Sequence, residues 1–160
     1  MPVNGVIDFS LIGVRVRIFD TGMRLVAESS YTPDTTYLVN LTAGKYTVEY
    51  EYWSSNTRDA VAYSPALLSF GSLPQLRSGV HSSSGNTTTF HSASFSTDSV
   101  VSFSGQGVYI AVLRSDMSLA NNIGSSYSPI SLPPGDYVFH LKFSSSVSRS
   151  VSITSPALPN

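Results

Sequence analysis

The chain contains no cysteine, so neither a disulfide framework nor a thiolate metal site is open to it. Charge is scarce as well: 12% of residues are charged, only two are lysine, and the formal net charge is −1. A surface that tracks phosphates needs clustered cations, so no nucleic-acid partner is expected. No apolar run reaches the roughly 18 residues that cross a bilayer, and no membrane partner is expected either. No window carries a 3.6-residue apolar stripe with caps, which leaves helices without a driving pattern. Met1 to Asp8 lack the basic and apolar regions of a signal peptide. That reading expects a cytoplasmic protein, one released by lysis, or a piece excised from a longer secreted chain.

What the chain does have is a repeat. Val6 to Leu25 align without a gap on Val100 to Leu119, at an offset of 94 residues. Val6/Val100, Phe9/Phe103, Ser10/Ser104, Gly13/Gly107, Val14/Val108, Met23/Met117 and Leu25/Leu119 are identical pairs. Further on the offset becomes 91: Leu41-Thr42-Ala43-Gly44-Lys45-Tyr46 matches Leu132-Pro133-Pro134-Gly135-Asp136-Tyr137, and Ser64-Pro65-Ala66-Leu67 matches Ser155-Pro156-Ala157-Leu158. The length change falls in a loop between the two blocks, where it is best tolerated. Units of roughly 65 residues sit near the lower limit at which a core stands alone. Without disulfides they are expected to pack on each other or on neighbouring subunits.

Periodicity within each copy is that of strands. Val14, Val16 and Ile18 alternate with Arg15, Arg17 and Phe19, ahead of a turn at Asp20-Thr21-Gly22. Tyr46, Val48, Tyr50 and Tyr52 alternate with Thr47, Glu49 and Glu51; the second copy answers with Tyr137, Phe139, Leu141 and Phe143 against Val138, His140 and Lys142. This predicts an all-β protein of two tandem small antiparallel β-sandwich (jelly-roll-like) units. The first unit is expected at 1–67 and the second at 87–160, with a linker at 68–86. The predicted core is Val14, Val16, Ile18, Tyr46, Val48 and Tyr50 in one unit, with Val108, Ile110, Val112, Tyr137, Phe139 and Leu141 in the other. Gly44 and Gly135 are expected to supply the positive φ of tight turns. Val80 to Asn86 reads as a flexible Ser/Gly turn or loop.

One asymmetry stands out. Thr87 to Phe95 reads as a strand leading into the second unit, and its counterpart in the first would fall before Met1. The first unit is expected to do without that strand or to take it from elsewhere. Either Leu68 to Leu76 folds back, the simpler option, or a neighbouring subunit lends a strand.

The runs Val14-Arg15-Val16-Arg17-Ile18-Phe19-Asp20 and Leu41-Thr42-Ala43-Gly44-Lys45-Tyr46-Thr47-Val48, with Val108 to Leu113 and Leu132 to Phe139 in the second copy, resemble the bacterial pre-peptidase C-terminal domain family. The resemblance implies a β-sandwich module without catalysis, of the kind appended to secreted enzymes. Calcium binding in some relatives directs attention to Asp116 with Asn121 and Asn122, and to Asp34 near Asp59.

No motif for chemistry emerges from the residues. There is no Gly-x-Ser-x-Gly elbow to present a nucleophile, and no His-x-x-x-His or Asp-x-Asp-x-Asp-Gly spacing to hold a metal. His81, His91 and His140 all read as surface histidines. Glu49 and Glu51 share a strand face, whereas glycosidases place two carboxyls across a cleft; cross-strand pairing with Arg15 or Arg17 is the expected role. Neither an enzyme nor a cofactor is expected.

The expected function is therefore a non-catalytic assembly protein. Its setting is the virion, as a phage component such as a capsid decoration (cement) or tail accessory protein. Partners would be other virion proteins, the major capsid protein foremost, with homo-oligomerisation, trimeric by class. The alternative is a secreted or cell-surface module recognising polysaccharide or protein. Trp53, which corresponds to Ser144 and so is not needed by the shared core, is the best single pointer to a contact. Leu68, Phe70, Leu73, Leu76, Val3 and Val6 complete the expected docking residues.

Overall fold

The computed structural model describes residues 1–30, 34–52, 58–67, 69–143 and 148–160. These residues form fourteen strands, one short 3-10 turn and no α-helix. The chain divides into two compact units, Met1–Ser69 and Phe70–Asn160.

In the first unit, β1 (Gly5–Ile12) lies between β4 (Asp34–Leu41) and β6 (Asp59–Tyr63), and β2 (Val14–Phe19) lies between β3 (Leu25–Glu28) and β5 (Thr47–Tyr52). All pairings are antiparallel. Ile7, Phe9, Leu11, Val39 and Leu41 from one sheet meet Val16 and Ile18 from the other in a single core. The chain passes from β1 to β2 through Gly13 alone, at φ 61°, a left-handed corner that glycine adopts at no steric cost. Gly107, at φ 72°, repeats it in the second unit.

The second unit has four strands in each sheet. One runs β11 (Leu119–Gly124), β10 (Val108–Arg114), β13 (Gly135–Phe143), β8 (Thr87–Phe95); the other runs β12 (Ile130–Leu132), β9 (Ser99–Gln106), β14 (Ser148–Thr154), β7 (Gly79–Ser84). With β7 and β8 set aside, the strand orders of the two units coincide. The registers coincide as well. Val14 opposite Tyr52 becomes Val108 opposite Phe143, Ile7 opposite Val39 becomes Val101 opposite Ile130, and Asp8 opposite Tyr63 becomes Ser102 opposite Thr154.

Fine detail is duplicated too. The Tyr46 hydroxyl donates to the Thr42 carbonyl at 3.0 Å, and the Tyr137 hydroxyl to the Pro133 carbonyl at 2.9 Å. Met23 and Met117 both sit at left-handed φ, 59° and 69°. At the end of each unit a serine Oγ accepts the amide two residues on: Ser64 from Ala66 and Ser155 from Ala157.

Several expectations need correction. Within the expected linker 68–86, residues 79–84 form β7, which pairs with β14 of the second unit. The segment before it runs beside β8, where Gln75 bridges Ser92 and the Leu76 amide donates to the Ser92 carbonyl at 2.7 Å. Val80 to Ser84 is strand rather than loop; the chain turns sharply at Gly85 (φ 107°) and Asn86, crossing from one sheet to the other. Gly135 takes positive φ, at 155°, but Gly44 does not. Tyr46 is only half-buried, and Val48 and Tyr50 are exposed rather than core. Val48 and Tyr50 lie on β5, which has no neighbour on its outer side among the described residues. His140 and Lys142, expected at the surface, are buried. Their strand β13 is flanked on both sides, with the Phe90 ring stacked on His140 at 4.9 Å and the Tyr109 ring edge-on at 6.3 Å.

Candidate protein-binding edge of the first unit

The two units differ by one substructure, the β7–β8 pair, and the difference exposes a surface. In the second unit β8 pairs with β13 along nine residues, from Gly135 opposite Phe95 to Phe143 opposite Thr87. In the first unit the equivalent of β13 is β5, and its outer edge pairs with no strand among the described residues. A bare edge presents unpaired amide and carbonyl groups in a row.

Side chains record the same loss. Phe139 and Leu141 are fully buried and Phe143 is 2% exposed, whereas Val48, Tyr50 and Tyr52 at the matching places are 36%, 37% and 52% exposed. In register they stand beside Ile18, Val16 and Val14, all fully buried. The apolar stripe is therefore covered along β2 and uncovered along β5. Partial burial, and next to it the charge of the Tyr52 phenolate, push the Tyr50 hydroxyl above the usual phenol range. The Arg58 guanidinium lies 5.7 Å from the centre of the Tyr52 ring, a cation–π contact at the end of the stripe.

The opposite face of β5 is ionic. Arg17 donates to Glu49 at 2.9 Å and lies 3.5 Å from Glu51, while Arg15 pairs with Glu28 and reaches Glu51 at 3.4 Å. Both arginines stand on β2, so among the described residues each glutamate is met by a cation from that side. The predicted cross-strand pairing of Glu49 and Glu51 is thus present.

The docking residues expected from sequence do not assemble into one surface. Trp53 and Leu68 lie outside the described residues. Val3 is exposed, and Val6 is half-buried within β1, opposite Asn40. The arm before β1 is tied down: the Gly44 amide donates to the Met1 carbonyl at 2.9 Å, and the Ala43 amide to Asn4 Oδ1 at 2.7 Å. Phe70 and Leu73 are half-buried around the 3-10 turn of the second unit. Leu76 is wholly within that unit's core, which removes it as a docking residue.

The histidines hold a different surprise. His81 and His91 meet edge to face at 5.3 Å, and His91 is half-buried. Desolvation, with the neighbouring His81 second, pushes His91 down to about 4. Desolvation and then Lys142 push His140 down to about 3. Both rings are therefore neutral at ordinary pH. Among the described residues no three of His, Asp and Glu gather into a metal-binding group. The Asp116 carboxylate is turned to its own loop, accepting the Ser118 amide at 2.9 Å, and hydrogen bonding by Ser118 holds it below the usual carboxylate range. Asn122 Oδ1 likewise accepts the Gly124 amide at 3.1 Å. Asp34 and Asp59 both lie opposite Ile12, on the strands either side of β1.

Sequence reasoning located the missing strand but not its consequence, the open β5 stripe. Its signal was available in the pairing of Val48, Tyr50 and Tyr52 with Phe139, Leu141 and Phe143, once Thr87 to Phe95 is known to lie beside the latter. No family model, no curated protein and no solved structure matches the chain.

Proposed function

We propose that this is a non-catalytic assembly protein that works through protein–protein contacts, with a phage virion as its setting and other virion proteins, the major capsid protein foremost, as its partners. One observation carries the reading. Apart from β7 and β8, which have no counterpart among its described residues, the first unit repeats the second, and it leaves uncovered the apolar stripe whose equivalent is buried in its sister. A tyrosine-rich stripe beside an unpaired strand edge is a surface suited to another polypeptide, since aromatic burial and backbone pairing both gain from it. The pre-peptidase C-terminal resemblance agrees with a module that binds rather than reacts.

Quantitative mass spectrometry of purified virus particles tests the reading. The chain is expected at a fixed ratio to the major capsid protein, and Tyr50→Asp, which puts a charge on the stripe, is expected to lower that ratio. A chain absent from particles, or an occupancy indifferent to Tyr50→Asp, contradicts it.

A further inference from the structure

The sister unit prescribes what completes the first. Carried from β13 onto β5, the register of β8 sets His91, Thr89 and Thr87, the partners of Phe139, Leu141 and Phe143, beside Val48, Tyr50 and Tyr52. Phe90 and Thr88, which are buried opposite His140 and Lys142, fall opposite Glu49 and Glu51. The place is the same, but the charge it presents is not. In the second unit those two places hold a buried histidine and a buried lysine; in the first they hold two carboxylates whose arginine partners lie on the far side, on β2.

A second copy of this chain fits that place poorly. Antiparallel pairing of β5 with its own copy about Tyr50 would set Glu49 opposite Glu51 twice, and like charges directly opposite destabilise a sheet. Nor does this chain's β8 suit it, with a phenylalanine opposite Glu49 and no cation along its length.

We infer that the β5 edge of the first unit accepts a strand from a different protein by antiparallel strand addition. The incoming strand alternates small or apolar residues, laid on Val48, Tyr50 and Tyr52, with Lys or Arg opposite Glu49 and Glu51. This rests on the assembly reading above and adds the chemistry of the partner. The edge glutamates then have two roles: they keep copies of the chain apart, and they select a basic strand.

The test uses the full chain and two nine-residue peptides built on the Thr87–Phe95 sequence, one with Thr88→Lys and Phe90→Lys, the other with Thr88→Glu and Phe90→Glu. By fluorescence anisotropy the lysine peptide is expected to bind about tenfold more tightly than the glutamate peptide. Hydrogen exchange is expected to show new protection confined to residues 47–52. Glu49→Lys with Glu51→Lys in the protein should invert the preference. Glu49→Gln with Glu51→Gln, which keeps the shape of the edge beside the arginines, should erase it. Equal affinities for the two peptides, no binding of either, or protection away from residues 47–52 overturns the inference. Protection of 47–52 that rises with the concentration of the chain alone assigns the edge to a second copy and overturns it too. Particles that carry the chain while the lysine peptide fails to bind leave assembly standing and remove strand addition; a chain that binds the peptide but is absent from particles does the reverse.

Discussion

Tyr50 and Leu141 hold the same place in two copies of one strand pairing, the first opposite Val16 and the second opposite Ile110, yet Tyr50 is 37% exposed and Leu141 is fully buried. What separates the two units is the β7–β8 pair, present in one and without a counterpart among the described residues of the other. The cost of truncation should follow. Leu141→Ala is expected to destabilise the second unit by about 2–5 kcal/mol, the range for a buried leucine. Tyr50→Ala should cost the first unit about 1 kcal/mol, since much of the ring is in water already. Urea unfolding followed by a probe in each unit measures both.

The repeated tyrosine hydrogen bond offers a second comparison. The ring of Tyr137 is 3% exposed and its hydroxyl reaches the Pro133 carbonyl, whereas Tyr46 is half-buried and its hydroxyl also contacts Thr42 Oγ1 at 2.9 Å. Tyr137→Phe should lower stability by about 1 kcal/mol, and Tyr46→Phe by less, because water replaces the lost partner more readily there. Equal losses would mean that the two corners are equally sealed.

Left-handed methionines give opposite signs at equivalent positions. Met23 is 64% exposed, so Met23→Gly removes backbone strain at little packing cost and should stabilise by on the order of 0.5 kcal/mol. Met117 is 2% exposed, and Met117→Gly should destabilise by about 2 kcal/mol or more as the buried side chain is lost. Thermal unfolding of the two variants shows whether burial or strain decides.

Much of this was legible in the sequence, and the reasons are particular. The alternation Val14-Arg15-Val16-Arg17-Ile18 and its echo at Val108 to Val112 specified both strands and their buried faces. Two offsets, 94 and 91, anticipated the shared register down to Val14/Tyr52 and Val108/Phe143. What alternation cannot report is whether a face, once assigned, is covered. Tyr50 reads as core because its side of the strand is apolar, and His140 as surface because its side is polar; Tyr50 is 37% exposed, and the Phe90 and Tyr109 rings lie against a buried His140. β7 reads as a turn or loop because it is rich in Ser and runs into Gly85; its one branched aliphatic, Val80, is 71% exposed, and the strand is ordered by backbone pairing with β14 rather than by burial. Trp53 and Leu68 lie outside the described residues.

Acidification should weaken the second unit through its histidines. Folded values near 4 for His91 and near 3 for His140 lie below the ordinary 6.5, so the unfolded chain takes up these protons first. Stability is therefore complete above about pH 6.5 and falls as pH drops toward those folded values, by at most about 1.4 kcal/mol per pH unit for each ring. Between pH 6.5 and 5, above the range of the hydrogen-bonded carboxylates of Asp20 and Asp116, His140→Gln should flatten the loss of melting temperature. An unchanged slope would show that the ring is not held neutral.

Amide hydrogen exchange on the free full-length chain, compared between residues 47–52 and 138–143, tests the incomplete first unit most directly. Paired among the described residues with β2 alone, β5 is expected to exchange its outward amides at close to the rate of exposed peptide, while β13, held between β10 and β8, stays protected to the limit of its unit's global stability. Equal protection of the two strands would mean that β5 is covered in the free protein, and that the first unit has no open place for a partner to fill.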